Sequence, residues 1–276
     1  WFLLPPAVLL AALAPATVSF AAGQAAFTLT LLILFNILQP EGWEIGLVRI
    51  EDVALGSAVS LVVGLLFWPR GAAAALGQAL AEAYSDSSKY LARAVEFGMS
   101  RCDPGARSRP APTDDGIRAA AASRRLDDTF RGYLAERGAK PVPLAEVTSL
   151  VTGVVGLRLA ADAVLDLWQR QSSADGDRTA ARRELLTSTA LMTGWYSGFA
   201  DSLIGRGAVP EPLTHDESAD SRLVGAVSND LRSAHGHATA TGVRMIWTGD
   251  HLDAARRLQE SLVGPARAVV EQDGML

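Results

Sequence analysis

The chain has 276 residues, a formal net charge of −5 and only two lysines, Lys89 and Lys140, so no polybasic run points to nucleic acid or to anionic lipid. Its one cysteine, Cys102, excludes an internal disulfide and a cysteine-built zinc site, and permits a reducing compartment. The 49% apolar composition averages two unlike parts, because Trp1 to Pro40 contains no Asp, Glu, Lys or Arg and nearly all charge follows Trp68.

That uncharged run is about twice what one bilayer crossing needs at 1.5 Å rise per residue. It begins at Trp1 already inside apolar sequence, with no basic segment of the secretory kind, and reads as a fragment without its natural N-terminus. Ala21-Ala22-Gly23-Gln24 divides it into a first span of about residues 2–20 and a second of about 25–38. Pro5, Pro6 and Pro15 kink or fray the first, which membrane helices tolerate when neighbours satisfy the freed carbonyls. A third span, about 50–68, ends at Trp68-Pro69-Arg70, an interfacial aromatic followed by a helix stop and a cation.

The loop from Gln39 to Asp52 sets Glu41, Glu44, Glu51 and Asp52 against Arg49 alone. By the positive-inside tendency this loop faces outward, and the chain after Arg70 faces the cytoplasm. Asp52, Gly56, Ser60 and Gly64 recur every four residues along the third span, with Arg49 three before Asp52 on the same helical face. Small residues at that spacing form a packing seam on which another helix can approach closely. Arg49 and Asp52 have two readings: a pair bridging at the outer interface that sets the depth of the helix, or a station on a substrate or proton path. Asn36 and Gln39 likewise read either as helix-end hydrogen bonders or as path residues, and Trp1, Trp43 and Trp68 as interfacial belts.

From Gly23 to Ala72 the sequence GQAAFTLTLLILFNILQPEGWEIGLVRIEDVALGSAVSLVVGLLFWPRGA resembles the closing part of the FUSC-type membrane domain. That group comprises fusaric-acid-resistance and aromatic-acid-exporter proteins and is related to plant malate-type anion channels. The resemblance is carried by Pro40 in the outer loop, Arg49 and Asp52 entering the last helix, Gly56 one turn later, and Trp68-Pro69 closing it; RLDDTFRGYLAERG, Arg125 to Gly138, extends it more loosely. It implies that the three spans are the last half of a six-helix domain at the cell membrane, followed by a cytoplasmic helical region.

After Arg70 helical periodicity holds throughout, giving an all-α chain with a membrane domain at 1–70 and a cytoplasmic antiparallel helical bundle at 71–276. A first helix is expected over Ala72–Met99, then a loop from Cys102 to Asp115, then a helix over Asp115–Glu136 presenting Leu126, Phe130 and Tyr133 or Leu134. Val147, Leu150, Val154, Leu157, Ala161, Val164 and Trp168 make a coiled-coil-like seam in the next helix. Leu185, Thr189, Met192, Tyr196, Phe199 and Leu203 repeat the device, so these two helices are expected to form an antiparallel hairpin across the Ser172–Asp177 turn. Pro210, Pro212 and Asp216 to Asp220 mark a loop, and further helices are expected over Ser218–Ala234 and Val243–Gln272.

Chemistry-bearing motifs are sparse. His235-Gly236-His237 straddles a turn, and its two imidazoles would point to different sides of a helix; His215 and His251 read as surface or cap residues. Neither lysine follows a glycine-rich phosphate loop, and Gly153-Val154-Val155-Gly156 lies inside an apolar helix. Arg124-Arg125, Arg182-Arg183 and Arg256-Arg257 read as solvated faces. The expectation is therefore a non-enzymatic, multi-pass transporter subunit without cofactor or metal, exporting small organic (aromatic) acids on an ion gradient. Its partners would be the lipid bilayer, the organic anion and a second copy of the chain. The alternatives are a membrane-anchored helical scaffold that docks a partner, and an anion channel.

Overall fold

The computed structural model describes residues 2–17, 20–38, 51–60, 72–102, 108–135, 142–170, 176–232 and 238–273. No strand occurs among them, and the chain divides into two compact units, Trp1–Pro69 and Arg70–Leu276.

The first unit holds α1 (Leu4–Thr17), α2 (Phe20–Leu38) and α3, described over residues 51–60. Pro5 and Pro6 fall in the first turn of α1, where a missing N–H costs nothing because it has no intrahelical partner. α1 and α2 pack on each other, with Ala7 and Gly23 buried. The break expected at Ala21-Ala22-Gly23-Gln24 is instead helix, inside α2. None of these residues removes a backbone donor, and one glycine costs a helix only about 1 kcal/mol. Thr28 and Thr30 donate their hydroxyls to the carbonyls four residues back, Gln24 at 3.0 Å and Ala26 at 2.9 Å, so neither needs a partner from outside the helix.

Among the described residues no helix is both long and apolar enough to cross a membrane. α1 has 14 residues, about 21 Å of helix against a hydrocarbon core of about 30 Å. Of the expected third span, 50–68, only residues 51–60 are among the described residues. The outward face of the unit is nonetheless apolar: Leu9, Leu10, Leu13, Phe27, Leu29, Phe35, Val53, Leu55 and Val59 are exposed.

The second unit contains α4 (Ala72–Met99), α5 (Thr113–Ala135), α6 (Leu144–Gln169), α7 (Thr179–Ser202), α8 (Glu217–Ala226), α9 (Ser228–Leu231) and α10 (Ala240–Asp273). Pro112 and the acidic pair Asp114, Asp115 start α5, the carboxylates complementing the positive end of the helix. The helix expected over Ser218–Ala234 divides at Val227 into α8 and α9. Asp216, expected in a loop, caps α8 by accepting from the backbone N–H groups of Ser218 at 3.0 Å and Ala219 at 3.1 Å.

α4, α6, α10 and α7 surround one core, each packed on the next, with α5 laid outside on α4. All seven seam residues of α6 and all six of the α7 seam are buried. The hairpin does not form: α4 and α10 each pack on both α6 and α7 and stand between them. Direction follows from the contacts. Tyr84 reaches Leu150, Tyr90 reaches Asp162 and Gly98 meets Trp168, so α4 and α6 run parallel, while Gly77 meets Leu203 and Tyr84 meets Phe199, so α4 and α7 run antiparallel. Gly153 faces Leu262 and Trp168 faces Thr248, which sets α10 antiparallel to α6 and hence parallel to α7. The antiparallel bundle expected throughout is thus one of mixed direction. Its cause is topological: α5 carries the chain back outside the core, so α6 enters from the same end as α4.

Tyr84 occupies the centre. Its ring stands edge-on to Phe199 at 5.0 Å and parallel to Tyr196 at 6.0 Å, and its hydroxyl donates to the Leu150 carbonyl at 2.6 Å. Trp168 closes the opposite end, its indole N–H donating to Thr248 Oγ1 at 3.0 Å. Buried aromatic hydroxyls and N–H groups are tolerated because each finds an acceptor.

Candidate functional site

In the first unit the structure places three of the residues singled out from sequence. Asp52, Gly56 and Ser60 lie on α3, whose ten described residues are all exposed. No atom approaches within 4 Å of the position a Cβ on Gly56 would take, so among the described residues nothing packs on this face. Asn36 lies within α2, and its side chain is outside the description. Gln39, Pro40, Arg49, Gly64, Trp68 and Pro69 lie outside the described residues, as does His235-Gly236-His237.

In the second unit a cavity of about 490 Å³ opens between α7, α8, α10 and the segment leading into α8. That segment is pinned before it reaches the cavity. Trp195 donates its indole N–H to the Glu211 carbonyl at 2.7 Å, and Arg267 pairs with the Glu211 carboxylate. Gln259, fully buried on α10, accepts from the Leu213 N–H at 2.8 Å through Oε1 and donates through Nε2 to Met192 Sδ at 3.2 Å. Arg256 Nη1 donates to the Leu213 carbonyl at 3.3 Å. Both backbone polar groups of Leu213 are thereby satisfied by side chains, and Thr214 and His215 are set on the cavity wall.

His215 stands between two carboxylates, with Nε2 3.3 Å from Asp220 Oδ2 and Nδ1 3.3 Å from Asp253 Oδ1. A neutral imidazole has one N–H and one lone pair, so it satisfies one of these contacts; an imidazolium satisfies both. Burial works against ionisation of Asp253, but the Arg256 hydrogen bond and charge, then Arg257 and His215, outweigh it and hold its carboxyl below the ordinary value. Asp216 is held low chiefly by the Ser218 hydroxyl and then by backbone N–H groups, with Arg222 adding its charge. Across the mouth Arg222 donates to Glu184 at 3.0 Å and to Ser218 Oγ at 2.8 Å. Leu185, Met192, Leu223 and Leu252, all buried, supply apolar lining, with Leu191 exposed at the rim.

None of the path or packing residues expected in the first 70 positions belongs to this constellation. His215 is exposed, as expected, but it is not isolated, since it meets Asp220 and Asp253; Arg256 is not on a solvated face, its side chain being only 14% exposed and bonded to Asp253 and Leu213. The partners of His215 come from α8 and α10, the latter far along the chain, so no local motif announces the site. Among the described residues no group of acidic, histidine or cysteine side chains is arranged to hold a metal ion.

Residues 1–63 match the family model described as fusaric acid resistance protein-like, a family of membrane efflux and transporter-related proteins. The match bears out the family resemblance and contains Arg49, Asp52, Gly56 and Ser60; Gly64, Trp68 and Pro69 lie beyond it. No curated protein and no solved structure matches the chain.

Proposed function

We propose that this chain belongs to a multi-pass efflux protein of the cell membrane that moves small organic, in particular aromatic, acids outward on an ion gradient. The observation that carries the reading is the match of residues 1–63 to an efflux-related family, within a stretch whose first 40 residues hold no charged side chain. The exposed apolar side chains of α1, α2 and α3 agree with it, since so many of them call for lipid or other helices around them. In this reading the first unit lies in the bilayer and the second unit faces the cytoplasm.

Within this reading Arg49 attracts the carboxylate of the cargo at the outer boundary and Asp52 exchanges protons there, with Asn36 and Gln39 lining the same route. An ionisable pair at that depth is costly unless it pairs or reaches water, so its presence favours a role. The face made by Gly56, Ser60 and Gly64 gives a neighbouring helix room to slide. Ion-gradient coupling is favoured over ATP because neither Lys89 nor Lys140 follows a glycine-rich phosphate loop.

The test is efflux of benzoate from vesicles carrying the protein. Arg49→Ala and Asp52→Asn should each cut the rate at least tenfold while leaving membrane insertion intact. Undiminished flux in both variants would sink the site assignment. Absence of any substrate-dependent flux, together with stoichiometric capture of one partner by the chain, would favour the scaffold reading, and current under voltage clamp the channel reading.

A further inference from the structure

The cavity of the second unit plays no part in that proposal, and its lining has the opposite sign. Four carboxylates, Glu184, Asp216, Asp220 and Asp253, face it against two guanidinium groups, Arg222 and Arg256. The balance stays negative whether His215 is neutral or protonated. Both guanidinium groups are already committed: Arg222 to Glu184 and Ser218, Arg256 to Asp253 and the Leu213 carbonyl. An incoming anion would have to break these pairs and face four carboxylates.

Asp220 is different. Its side chain meets His215 through Oδ2 and is 63% exposed at the mouth. Below it Leu185, Met192, Leu223 and Leu252 form an apolar floor, and the volume of about 490 Å³ lies in the range of sites that take drug-sized molecules, about 300 to 1,000 Å³. Walls carrying one sign of charge over a low-dielectric floor concentrate ligands of the other sign. Gln259 and Trp195 fix the wall in place, so the cavity is built before any ligand arrives.

We infer that this cavity binds a lipophilic organic cation, its apolar body on the leucine and methionine floor and its charged group at Asp220. Such a ligand differs in sign from the organic acid proposed as cargo, so the site is a sensing or accessory site of the second unit, and its test does not depend on transport.

The experiment uses the full chain in phosphatidylcholine nanodiscs, with rhodamine 6G as the cationic probe and fluorescein as the anionic one, read by fluorescence anisotropy against empty discs. Rhodamine 6G should bind saturably. Asp220→Lys, which reverses the exposed charge, and Thr187→Trp, which fills the mouth from α7, should each weaken binding at least tenfold without changing thermal unfolding. Fluorescein should show no saturable binding. The inference is overturned if rhodamine 6G binds no better than to empty discs, if both variants bind it as the unsubstituted chain does, or if fluorescein binds equally well.

Discussion

Arg178 clasps Asp230 with two hydrogen bonds, Nε to Oδ2 at 3.0 Å and Nη2 to Oδ1 at 2.7 Å, and uses Nη1 to reach the Cys102 carbonyl at 3.0 Å. One side chain at the start of α7 thus joins the end of α4 to α9. Thr239 Oγ1, just before α10, also donates to Asp230 at 2.8 Å. The Arg178 and Asp230 side chains are only 6% and 15% exposed, so removing one partner strands the other's charge away from water. Asp230→Asn should cost about 3 to 5 kcal/mol of unfolding free energy. Burial opposes ionisation of Asp230, yet the Arg178 and Thr239 hydrogen bonds and the Arg178 charge hold its carboxyl below the ordinary value. A depressed folded-state value means the unfolded chain takes up the proton first. The contribution is therefore present above about pH 4 and is lost as pH falls further. Thermal unfolding at pH 7 and pH 3 should show this acid sensitivity in the unsubstituted chain and a smaller one in Asp230→Asn.

Gly153 and Gly198 should respond oppositely to alanine. A Cβ on Gly153 would press on the Tyr84 hydroxyl and lie 2.5 Å from Leu262 Cδ2, in the middle of the core where α4, α6 and α10 converge. The clash should outweigh the helix-propensity gain, and Gly153→Ala should destabilise by about 1 to 3 kcal/mol. A Cβ on Gly198 meets nothing within 4 Å, so Gly198→Ala should stabilise by about 0.5 to 1 kcal/mol through helix propensity alone. Urea unfolding of the two variants checks both signs.

This contrast also shows how far the sequence could be read. The α6 and α7 seams were legible because three-four spacing of apolar residues puts them on one helical face, and the faces were buried as spacing requires. The identity of the helix each face meets was not. Leu150, Leu157 and Trp168 could equally have met α7 or α4, and the choice was made by Tyr84, whose hydroxyl needs the Leu150 carbonyl, and by Gly153, which admits it. Periodicity reports that a face is apolar and carries no information on its partner. The cavity was harder still, since His215, Asp220 and Asp253 come together only when α8 and α10 pack beside α7. In the first unit the legible part was the family signature over residues 1–63; the helix boundary at Gly23 was misjudged because a glycine beside a glutamine marks a break only when packing does not compensate.

Three tyrosines, Tyr84, Tyr90 and Tyr196, should resist alkaline titration. Burial, then the neighbouring Tyr196, pushes Tyr84 up strongly; burial alone pushes Tyr196 up. Tyr90 rises through burial, then its 2.8 Å hydrogen bond to Asp162 and that carboxylate's charge, with Arg158 opposing. Absorbance near 295 nm at about pH 11 should therefore report at least three fewer ionised phenols in the folded chain than in urea. Because the folded values are raised, the unfolded state releases protons first as pH rises. Stability is intact below about pH 10 and falls above it. Tyr90→Phe should blunt that fall, and a native titration showing these three phenols at ordinary values would refute the buried arrangement.

Gln259 links core to cavity, and its replacement should separate the two. Its side chain is fully buried, with Oε1 holding the Leu213 N–H and Nε2 on Met192 Sδ. Gln259→Met keeps the volume and the apolar contacts of α10 but leaves the Leu213 donor without an acceptor, at a cost of about 1 to 3 kcal/mol. The Leu213 carbonyl retains Arg256, and Trp195 still holds Glu211, so the segment should loosen locally while the bundle stays folded. Hydrogen exchange should then accelerate at Leu213, Thr214 and His215 by at least tenfold, with exchange in α4 and α6 unchanged. Equal acceleration across α4 and α6 would mean that Gln259 supports the bundle as a whole and that the cavity wall is not fixed by this one side chain.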